Sequence, residues 1–337
     1  MKAMLLAAGV GSRLDPLTRR LPKPMVPVMN RPVMEHILSL LVRHGFTDIM
    51  VNLHYMGDVI ESHFADGSRW GARITYSRED QLWGDAGSIR RVSDFWDDTF
   101  LVIGADDVTD MDLGALVAYH KDRRAEATIA LYPVEDPTEY GVAVVQDGRI
   151  VGFQEKPSPS QAKSRMANTG VYVFEPGVLD MIPEGRVYGL GRELLPSLLE
   201  EGRPFFGWQA DGYWCDIGSL AYYHQTHRDA LSGRIALTGG LSEVLPMVWV
   251  EDAVELHPDA VLVGPCLIGR GCRIAPRARV ERSVLGSGCS LRDDVSVSDC
   301  VLWDEVAVGH ATRLQSCLIG SGCHVSSTGE LHRAIIV

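Results

Sequence analysis

A six-residue repeat near the end of the sequence constrains the fold of this chain more than any other feature. Aliphatic side chains recur at steps of six residues, with an occasional step of five, at Leu256, Leu262, Ile268, Ile274, Val280, Leu285, Leu291, Val297, Leu302, Val308, Leu314, Ile319 and Val325. Simple helices and strands have shorter periods, whereas a hexapeptide repeat is typical of a parallel β-helix, with three repeats in each triangular coil. The repeat therefore predicts a β-helix in which these side chains point inward.

The same repeat accounts for six of the seven cysteines. Each of the six lies four residues after or two residues before an aliphatic position, and they are Cys266, Cys272, Cys289, Cys300, Cys317 and Cys323. None of them forms a C-x-x-C pair, which argues against a zinc site. Because a free cysteine behaves as a small hydrophobic residue, we expect these thiols in the core, with metal binding as the weaker alternative.

Residues 1–231 alternate between strand-like and helix-like segments. The apolar strand-like segments are Met1–Ala7, Asp48–Asn52, Ile74–Tyr76 and Thr99–Ile103, and helix-like segments begin at Pro32, Asp112 and Ala221. The alternation predicts an α/β domain with a Rossmann-like, mostly parallel sheet, whose ligands bind at the carboxyl ends of the strands. We therefore divide the chain into an α/β domain (1–231), a linker (232–252) and a β-helix (253–337).

Charge and hydropathy limit the partners that we expect. The net charge of the 337 residues is −12, which argues against binding to nucleic acid because such proteins usually present a basic face. No apolar run approaches the roughly 18 residues that a membrane span needs. The short apolar start of the chain lacks the pattern of a signal peptide, so we expect a cytoplasmic protein with no membrane partner.

Two glycines follow the first predicted strand, in the string LAAGVGSRL over residues 6–14, here called the glycine loop. Gly9 and Gly11 allow backbone N–H groups to approach a phosphate, and Arg13 and the later Lys23 add positive charge. The spacing is not that of a P-loop, and Leu14 stands where a dinucleotide-binding fingerprint has its third glycine. Taken alone, the fragment fits a structural turn with two solvated cations equally well.

The full string LAAGVGSRLDPLTRRLPKPMVPV resembles the signature of the sugar-1-phosphate nucleotidyltransferase family. The resemblance continues in order through FLVIGADDVTDMDL (100–113), YGV (140–142), FQEKP (153–157), NTGVYVF (168–174) and GYWCDIG (212–218). It covers essentially the whole α/β domain and is strongest to mannose-1-phosphate guanylyltransferases. A left-handed β-helix as second domain is usual in several branches of the family, so the resemblance implies that hand here.

The resemblance also implies a role for individual residues. In the family, the reaction needs an attacking sugar phosphate, a nucleoside triphosphate and Mg²⁺, and pyrophosphate leaves. The implied catalytic residues are Arg13 and Lys23, and the implied Mg²⁺ ligands are Asp106 and Asp216. The implied nucleotide-binding residues are Leu6, Ala8, Gly9, Gly11, Ser12, Gly84, Gly87 and Asp106. The implied sugar-phosphate-binding residues are Gly141, Glu155, Lys156, Asn168 and Gly170, although an EK pair is also typical of a surface ion pair.

Two segments depart from the family pattern. The base-binding segment, usually LGTAGA, is LWGDAGS over residues 82–88, and Asp85 replaces a neutral threonine. The usual NGD before the metal ligand is Gly104-Ala105-Asp106, followed by Asp107. Asp106 keeps the family spacing to Leu113 and is therefore the predicted ligand, with Asp107 as the alternative.

Other functions and substrates stay open at this point. GTP with mannose 1-phosphate is the favoured pair, and UTP, dTTP or ATP with glucose 1-phosphate are alternatives. A non-catalytic regulatory subunit of the same family is a competing possibility, and an NAD-dependent oxidoreductase is a weaker one. Acyl transfer by the β-helix has little support because His310 and His324 fall at predicted turns. We expect the β-helix to assemble a homo-oligomer through its flat faces and edges.

Overall fold

The computed structural model describes residues 1–326 and 329–337 and contains two compact units. The first unit comprises Met1–Val10, Pro22–Pro24 and Met34–Asp216, and the second comprises Gly11–Leu21, Met25–Val33 and Ile217–Val337. Residues 11–21 and 25–33, which the sequence analysis places in the α/β domain, thus belong to the same compact unit as the β-helix.

The first unit is built on a mixed sheet. Its strands lie in the order Arg73–Arg78, Asp48–Leu53, Lys2–Leu6, Phe100–Gly104, Met166–Phe174, Ala127–Pro133, Phe205–Gln209, Arg149–Glu155 and Gly141–Gln146. The first four pair in parallel, as predicted. Most of the remaining pairings are antiparallel, so the prediction of a mostly parallel sheet is wrong for this half.

A two-residue hairpin accounts for part of the antiparallel half. Asp147 and Gly148 join Gly141–Gln146 to Arg149–Glu155, with φ angles of 51° and 80°. Positive φ at both central residues is typical of the turn whose twist matches an antiparallel pair, and Asp-Gly is one of its preferred sequences. A parallel connection would need a dozen or more residues instead.

Along the sequence, the helices alternate with the strands of the first unit, and the last helix precedes the β-helix. The α-helices are Val33–Arg43, Gly57–Phe64, Asp85–Arg91, Leu113–Asp122, Leu195–Glu200 and Leu220–Leu231, and Leu190–Leu194 is a π-helix. The short 3-10 turns are Ser12–Leu14, Leu17–Arg19, Lys23–Met25, Ser68–Trp70, Ser93–Phe95, Pro137–Glu139 and Pro176–Met181. Asp112 caps the helix that follows it by accepting a hydrogen bond from Ala115 N at 2.9 Å, as predicted. Across the described residues, no helix has the length and hydropathy of a membrane span.

The β-helix confirms the hexapeptide prediction. Within the described part of the chain, its coils stack into three sheets, and every third aliphatic position falls in the same sheet. The first sheet contains the strands Val248–Val250, Cys266–Ile268, Val284–Leu285, Val301–Leu302, Leu318–Ile319 and Ile335–Ile336. The second contains Glu255–Leu256, Arg273–Ile274, Ser290–Leu291, Ala307–Val308 and His324–Val325. The third contains Val261–Val263, Arg279–Glu281, Ser296–Ser298, Arg313–Gln315 and Glu330–His332. The antiparallel edge strand Ser242–Leu245 extends the first sheet.

Burial of the aliphatic positions matches the prediction along most of the series. From Ile268 to Val325 every predicted inward residue is buried, whereas Leu256 is 46% exposed. The expectation for Leu256 is therefore wrong, because its strand ends its sheet and has no further coil beside it. The strand Val248–Val250 pairs with Cys266–Ile268, so pairing of the β-helix begins inside the predicted linker.

The cysteines of the repeat contribute to the core. Five of them, Cys266, Cys272, Cys289, Cys300 and Cys317, are at most 1% exposed, and Cys323 is partly buried. All seven cysteines are free thiols. The prediction that these side chains act as small core residues is confirmed.

Polar contacts connect other segments of the second unit to the coils. Tyr223, on the helix Leu220–Leu231, donates its hydroxyl to Pro27 O at 2.6 Å and accepts from Trp303 Nε1 at 2.9 Å. Asn30 Nδ2 donates to Leu285 O at 2.9 Å. These bonds explain why residues 25–33 belong to the β-helix unit although they lie far from it in sequence.

Replacing Ile319 by alanine tests the core assignment. Ile319 is fully buried, so the Ile319→Ala variant should lose about 2–5 kcal/mol of unfolding free energy through lost contacts and a cavity. Leu256→Ala, at the exposed end of the series, is the matched control and should lose less than about 1 kcal/mol. Urea unfolding followed by circular dichroism measures both, and equal losses would contradict the assignment.

Candidate active site

A buried lysine held by two carboxylates forms the centre of the candidate site. Lys23 lies in the turn Lys23–Met25, Asp106 follows the strand Phe100–Gly104, and Asp216 ends the strand Trp214–Asp216. The Lys23 Nζ atom lies 2.5 Å from Asp106 Oδ2 and 3.1 Å from Asp216 Oδ1. The structure thus brings together three predicted site residues that lie far apart in sequence.

A short antiparallel pair of strands fixes Asp216 beside the turn that carries Asp106. Trp214–Asp216 pairs with Asp107–Thr109, which places Asp216 opposite Asp107. Thr109 Oγ1 donates to Tyr213 O at 2.7 Å. The carboxylate of Asp216 therefore has a defined position relative to the end of the central sheet.

Burial and charge act in opposite directions on Lys23. Burial, the largest single effect, lowers the pKa of Lys23, but the charges of Asp106, Asp216 and Asp107 and the hydrogen bond to Asp106 together outweigh it, so that the pKa is raised. Lys23 is therefore a permanent cation near neutral pH. Its side chain is only 8% exposed, so this charge faces the two carboxylates with little screening by water.

Asp107 differs from its neighbour Asp106. Burial and then the charges of Asp106 and Asp216 raise the pKa of Asp107 well above its usual range, and Lys23 offsets this only in part. The Asp106 side chain is 34% exposed, whereas Asp107 is buried. Of these two adjacent aspartates, Asp106 is therefore the more exposed.

Glycines make room for the carboxylates. A Cβ atom at Gly104 would lie 2.8 Å from Asp106 Oδ1, and one at Gly170 would lie 3.6 Å from Asp107 Oδ2. Gly170 also has a φ angle of 76°, which favours glycine, and lies where the strand Met166–Phe174 is irregular. Gly170, predicted as a sugar-phosphate-binding residue, therefore lies close to the carboxylate of Asp107.

A buried amide–carboxylate pair beside the first strand was missed by the sequence analysis. Asn52 accepts a hydrogen bond from Ala7 N at 2.8 Å and donates to Glu79 Oε1 at 3.0 Å. Glu79 Oε2 is buried and has no hydrogen-bond partner among the described residues. The available signal was a polar residue at the carboxyl end of each of two parallel strands, Asp48–Leu53 and Arg73–Arg78.

The structure also brings the predicted residues Gly141 and Glu155 together. A Cβ atom at Gly141 would lie 2.8 Å from Glu155 Oε2, and one at Gly191, which the sequence analysis did not single out, would lie 3.0 Å from the same oxygen. The Glu155 carboxylate thus lies against two glycines. Asn168 donates to the Tyr172 hydroxyl at 2.8 Å and accepts from Gly170 N at 3.0 Å, so part of its hydrogen-bonding capacity is used locally.

The segment around Gly84 and Gly87 packs against the backbone of residues 186–190. Gly87 N donates to Tyr188 O at 2.9 Å, and a Cβ atom at Gly84 would clash with the same oxygen. Asp85 accepts hydrogen bonds from Leu190 N at 2.5 Å and Ala86 N at 3.0 Å, and burial raises its pKa. The aspartate that departs from the family pattern therefore holds a neighbouring segment of chain in place.

The glycine loop divides between the two compact units. Leu6 ends the first strand and Ala8 is buried, whereas a Cβ atom at Gly9 would meet no atom within 4 Å. In the second unit Gly11 has a φ angle of 69°, and its carbonyl accepts a hydrogen bond from Thr18 Oγ1 at 3.0 Å. Ser12 and Arg13 follow in the turn Ser12–Leu14.

Comparison with known families identifies the chain. The family model described as nucleotidyl transferase matches residues 2–233. The chain belongs to the nucleotidyl transferase family. The predicted family is confirmed, and residues 246–337 match the model of the EIF2B subunit epsilon LbH domain.

Relatives of this nucleotidyltransferase differ in the nucleotide that their names specify. A UTP–glucose-1-phosphate uridylyltransferase of Synechocystis sp. is 39% identical, and the match covers 98% of this chain and 89% of the relative. A mannose-1-phosphate guanylyltransferase of Mycobacterium tuberculosis is 34% identical over 85% of this chain and 80% of the relative. A crystal structure of a Bacillus anthracis protein, described as a glucose-1-phosphate thymidylyltransferase, is 30% identical with a TM-score of 0.62, covering 67% of this chain and 94% of that one.

Because the pKa of Asp107 is raised, the stability of the folded protein should depend on pH. Its folded-state pKa lies above the unfolded value, so the stability that the protonated group contributes is lost as pH rises above the usual carboxyl range. Asp107→Asn, which resembles the protonated acid, should therefore gain stability relative to the wild type as the pH rises from about 4 toward neutrality. Thermal unfolding across this range measures the difference, and a difference that does not change with pH would contradict the assignment.

Proposed function

We propose that this nucleotidyltransferase joins a nucleoside triphosphate to a sugar 1-phosphate and releases pyrophosphate. The observation that carries the proposal is the Lys23 ammonium between Asp106 and Asp216. A regulatory subunit without activity would have no need for a buried cation and two partly exposed carboxylates beside the carboxyl end of a parallel strand. The named activities of the relatives support the same reaction.

Asp106 and Asp216 fit a magnesium site. Their oxygens converge on a single nitrogen atom, so they are placed to share a cation. No group of three metal-ligating side chains occurs among residues 1–326 and 329–337, which is compatible with Mg²⁺ because that ion usually takes one or two carboxylates, waters and substrate phosphates. When bound, Mg²⁺ would neutralise charge on the triphosphate.

Charge neutralisation by the protein is the main contribution that the reaction needs. An oxygen of the sugar phosphate attacks the α-phosphorus of the nucleotide, and pyrophosphate leaves in line, so positioning and electrostatics dominate. Lys23, whose pKa is raised, stays charged to meet the negative charge that develops on the α-phosphate. By family resemblance, Arg13 holds the departing phosphates and Lys156 holds the phosphate of the sugar.

Glu155, Gly141 and Asn168 are the proposed contacts of the sugar. The Glu155 carboxylate against Gly141 offers acceptors to sugar hydroxyls, and the absence of side chains at Gly141 and Gly191 leaves space beside it. Asn168 keeps one further amide N–H and one further lone pair after its two local bonds. A set of acceptors and donors of this kind suits a polyol.

Glu79 is the proposed determinant of the base. It follows a parallel strand, and Asn52 connects it to Ala7 at the start of the glycine loop. A carboxylate accepts hydrogen bonds but donates none, so the free Oε2 atom favours a base whose ring carries an N–H group. Guanine, uracil and thymine have such a group, whereas adenine and cytosine present a ring acceptor at the equivalent position.

GTP with mannose 1-phosphate is the pair that we propose first. Guanine offers both a ring N–H and an amino group to Glu79, and mannose-1-phosphate guanylyltransferases recur among the relatives. UTP with glucose 1-phosphate is the second candidate. It is favoured by the uridylyltransferase of Synechocystis sp., which is 39% identical over nearly the full length of both chains.

For the β-helix we propose a left-handed coil and a role in self-association. The match to an LbH domain model supports the hand. The exposed apolar residues Val244, Leu245 and Leu256 lie on its first strands, where they suit contact with a second copy. Light scattering at micromolar concentration tests this proposal, and a monomer would contradict it.

The reaction is tested by pyrophosphate release with Mg²⁺ over a grid of GTP, UTP, dTTP, ATP and CTP against mannose and glucose 1-phosphates. We expect one preferred pair and a loss of about 10²–10³ in rate for Asp216→Asn, because a charged group acting on the transition state is removed. Asp211→Asn changes an exposed aspartate nearby and should keep wild-type activity. A folded wild type that is inactive on every pair would reject the proposal.

Replacing Glu79 by glutamine tests base selection. Glutamine offers an amide N–H and an acceptor in place of two acceptors, so Glu79→Gln should narrow the preference for GTP or UTP over ATP by about 10- to 100-fold in kcat/KM. The kcat with the preferred nucleotide should change less than its KM. Glu200→Gln, an exposed position at the end of the helix Leu195–Glu200, is the control. An unchanged ratio of GTP or UTP to ATP would remove Glu79 from the base site.

A further inference from the structure

The loop that follows the strand Arg149–Glu155 borders an open pocket, and the proposed reaction uses only some of the residues that line it. The pocket has a volume of about 690 Å³ and is lined by Glu155, Lys156, Ser158, Ser160 and Lys163, among others. Glu155 and Lys156 belong to the proposed sugar-phosphate site. Lys163, Ser158 and Ser160 are not among the residues proposed for that site.

Gln154 holds this loop in a fixed arrangement. Its side-chain amide donates to Gln161 O at 3.0 Å, and its side-chain oxygen accepts from Lys163 N at 2.8 Å. Ser158 Oγ donates to Gln161 Oε1 at 2.8 Å and closes the turn. The position of Lys163 is therefore set by a side chain on the strand that also carries Glu155.

The distribution of lysine singles out the same pocket. Only five of the 32 basic residues are lysines, namely Lys2, Lys23, Lys121, Lys156 and Lys163. Lys2 pairs with Asp97 and Lys23 pairs with two aspartates, whereas Lys121, Lys156 and Lys163 form no ion pair within the described ranges. Of these three lysines, Lys156 and Lys163 line the same pocket. Two unpaired ammonium groups that line one pocket form an environment for an anion, in a chain whose net charge is −12.

We propose that Lys163 and Lys156 together bind the phosphoryl group of the sugar 1-phosphate, and that Gln154 positions Lys163 for this contact. A phosphate monoester carries close to two negative charges at neutral pH, and two ammonium groups match that charge where one leaves it partly uncompensated. Lysine binds phosphate as a point charge and needs no fixed fork geometry, which suits a loop residue. This inference rests on the proposed function, since it assigns the phosphate of the same substrate.

The test compares steady-state kinetics of Lys163→Ala, Lys163→Arg and Gln154→Ala with the wild type. Lys163→Ala should raise the KM for the sugar 1-phosphate about tenfold through loss of a charge-assisted contact, with kcat and the KM for the nucleotide within about twofold of wild type. Lys163→Arg keeps the charge and should restore most of the affinity, and Gln154→Ala should lie between the two. Lys121→Ala removes an exposed lysine on the helix Leu113–Asp122 and is the matched control.

Binding measured without turnover separates this inference from the proposed reaction. Calorimetric titration with the sugar 1-phosphate and with inorganic phosphate should show weaker binding of both to Lys163→Ala, even if every substrate pair on the grid were inactive. Weaker binding of inorganic phosphate with unchanged binding of the sugar phosphate would assign the pocket to a free phosphate and overturn the substrate role of Lys163. Unchanged binding of both would overturn the phosphoryl site itself.

Discussion

The ion pairs between Lys23 and the carboxylates of Asp106 and Asp216 are the interaction around which the site is organised. A buried ammonium group is costly unless it is paired, and a pair of neighbouring carboxylates is costly unless a cation lies between them. The three groups therefore depend on one another. Because the two aspartates come from the end of the central sheet and from a strand more than 100 residues later, their positions require the first unit to be folded around them.

The sheet explains why these groups meet where they do. The strands Lys2–Leu6, Asp48–Leu53, Arg73–Arg78 and Phe100–Gly104 run in parallel, so their carboxyl ends lie at one edge. The residues that follow or end these strands include the glycine loop, Asn52, Glu79 and Asp106. One edge of this sheet thus presents the start of the glycine loop, a buried acceptor and the carboxylate of Asp106, our proposed metal ligand, and this set suits a nucleotide.

The features that were predictable from sequence are those with a local or periodic signal. The six-residue step predicts the β-helix because each coil repeats the same backbone geometry, and the order of motifs predicts the family. An Asp-Gly turn at residues 147–148 was available as a hairpin signal, and its omission led to the wrong expectation of a mostly parallel sheet.

Other features depend on contacts between distant residues and have no local signal. The spacing of Asp106 and Asp107 favours Asp106 as the metal ligand, but the raised pKa of Asp107 follows from its burial and from the nearby charges of Asp106 and Asp216. Likewise, the hydrogen bonds of Tyr223 with Pro27 and Trp303, which connect residues 25–33 to the β-helix unit, join residues 196 and 80 positions apart in sequence.

A crystal structure with Mg²⁺ and a non-reactive nucleoside triphosphate analogue tests the central claim most directly. The account predicts a metal ion coordinated by the carboxylates of Asp106 and Asp216 and by phosphate oxygens, with Lys23 Nζ in contact with the α-phosphate and Asp107 outside the coordination shell. A metal ion bound by Asp107, or a nucleotide whose phosphates lie away from Lys23, would contradict it.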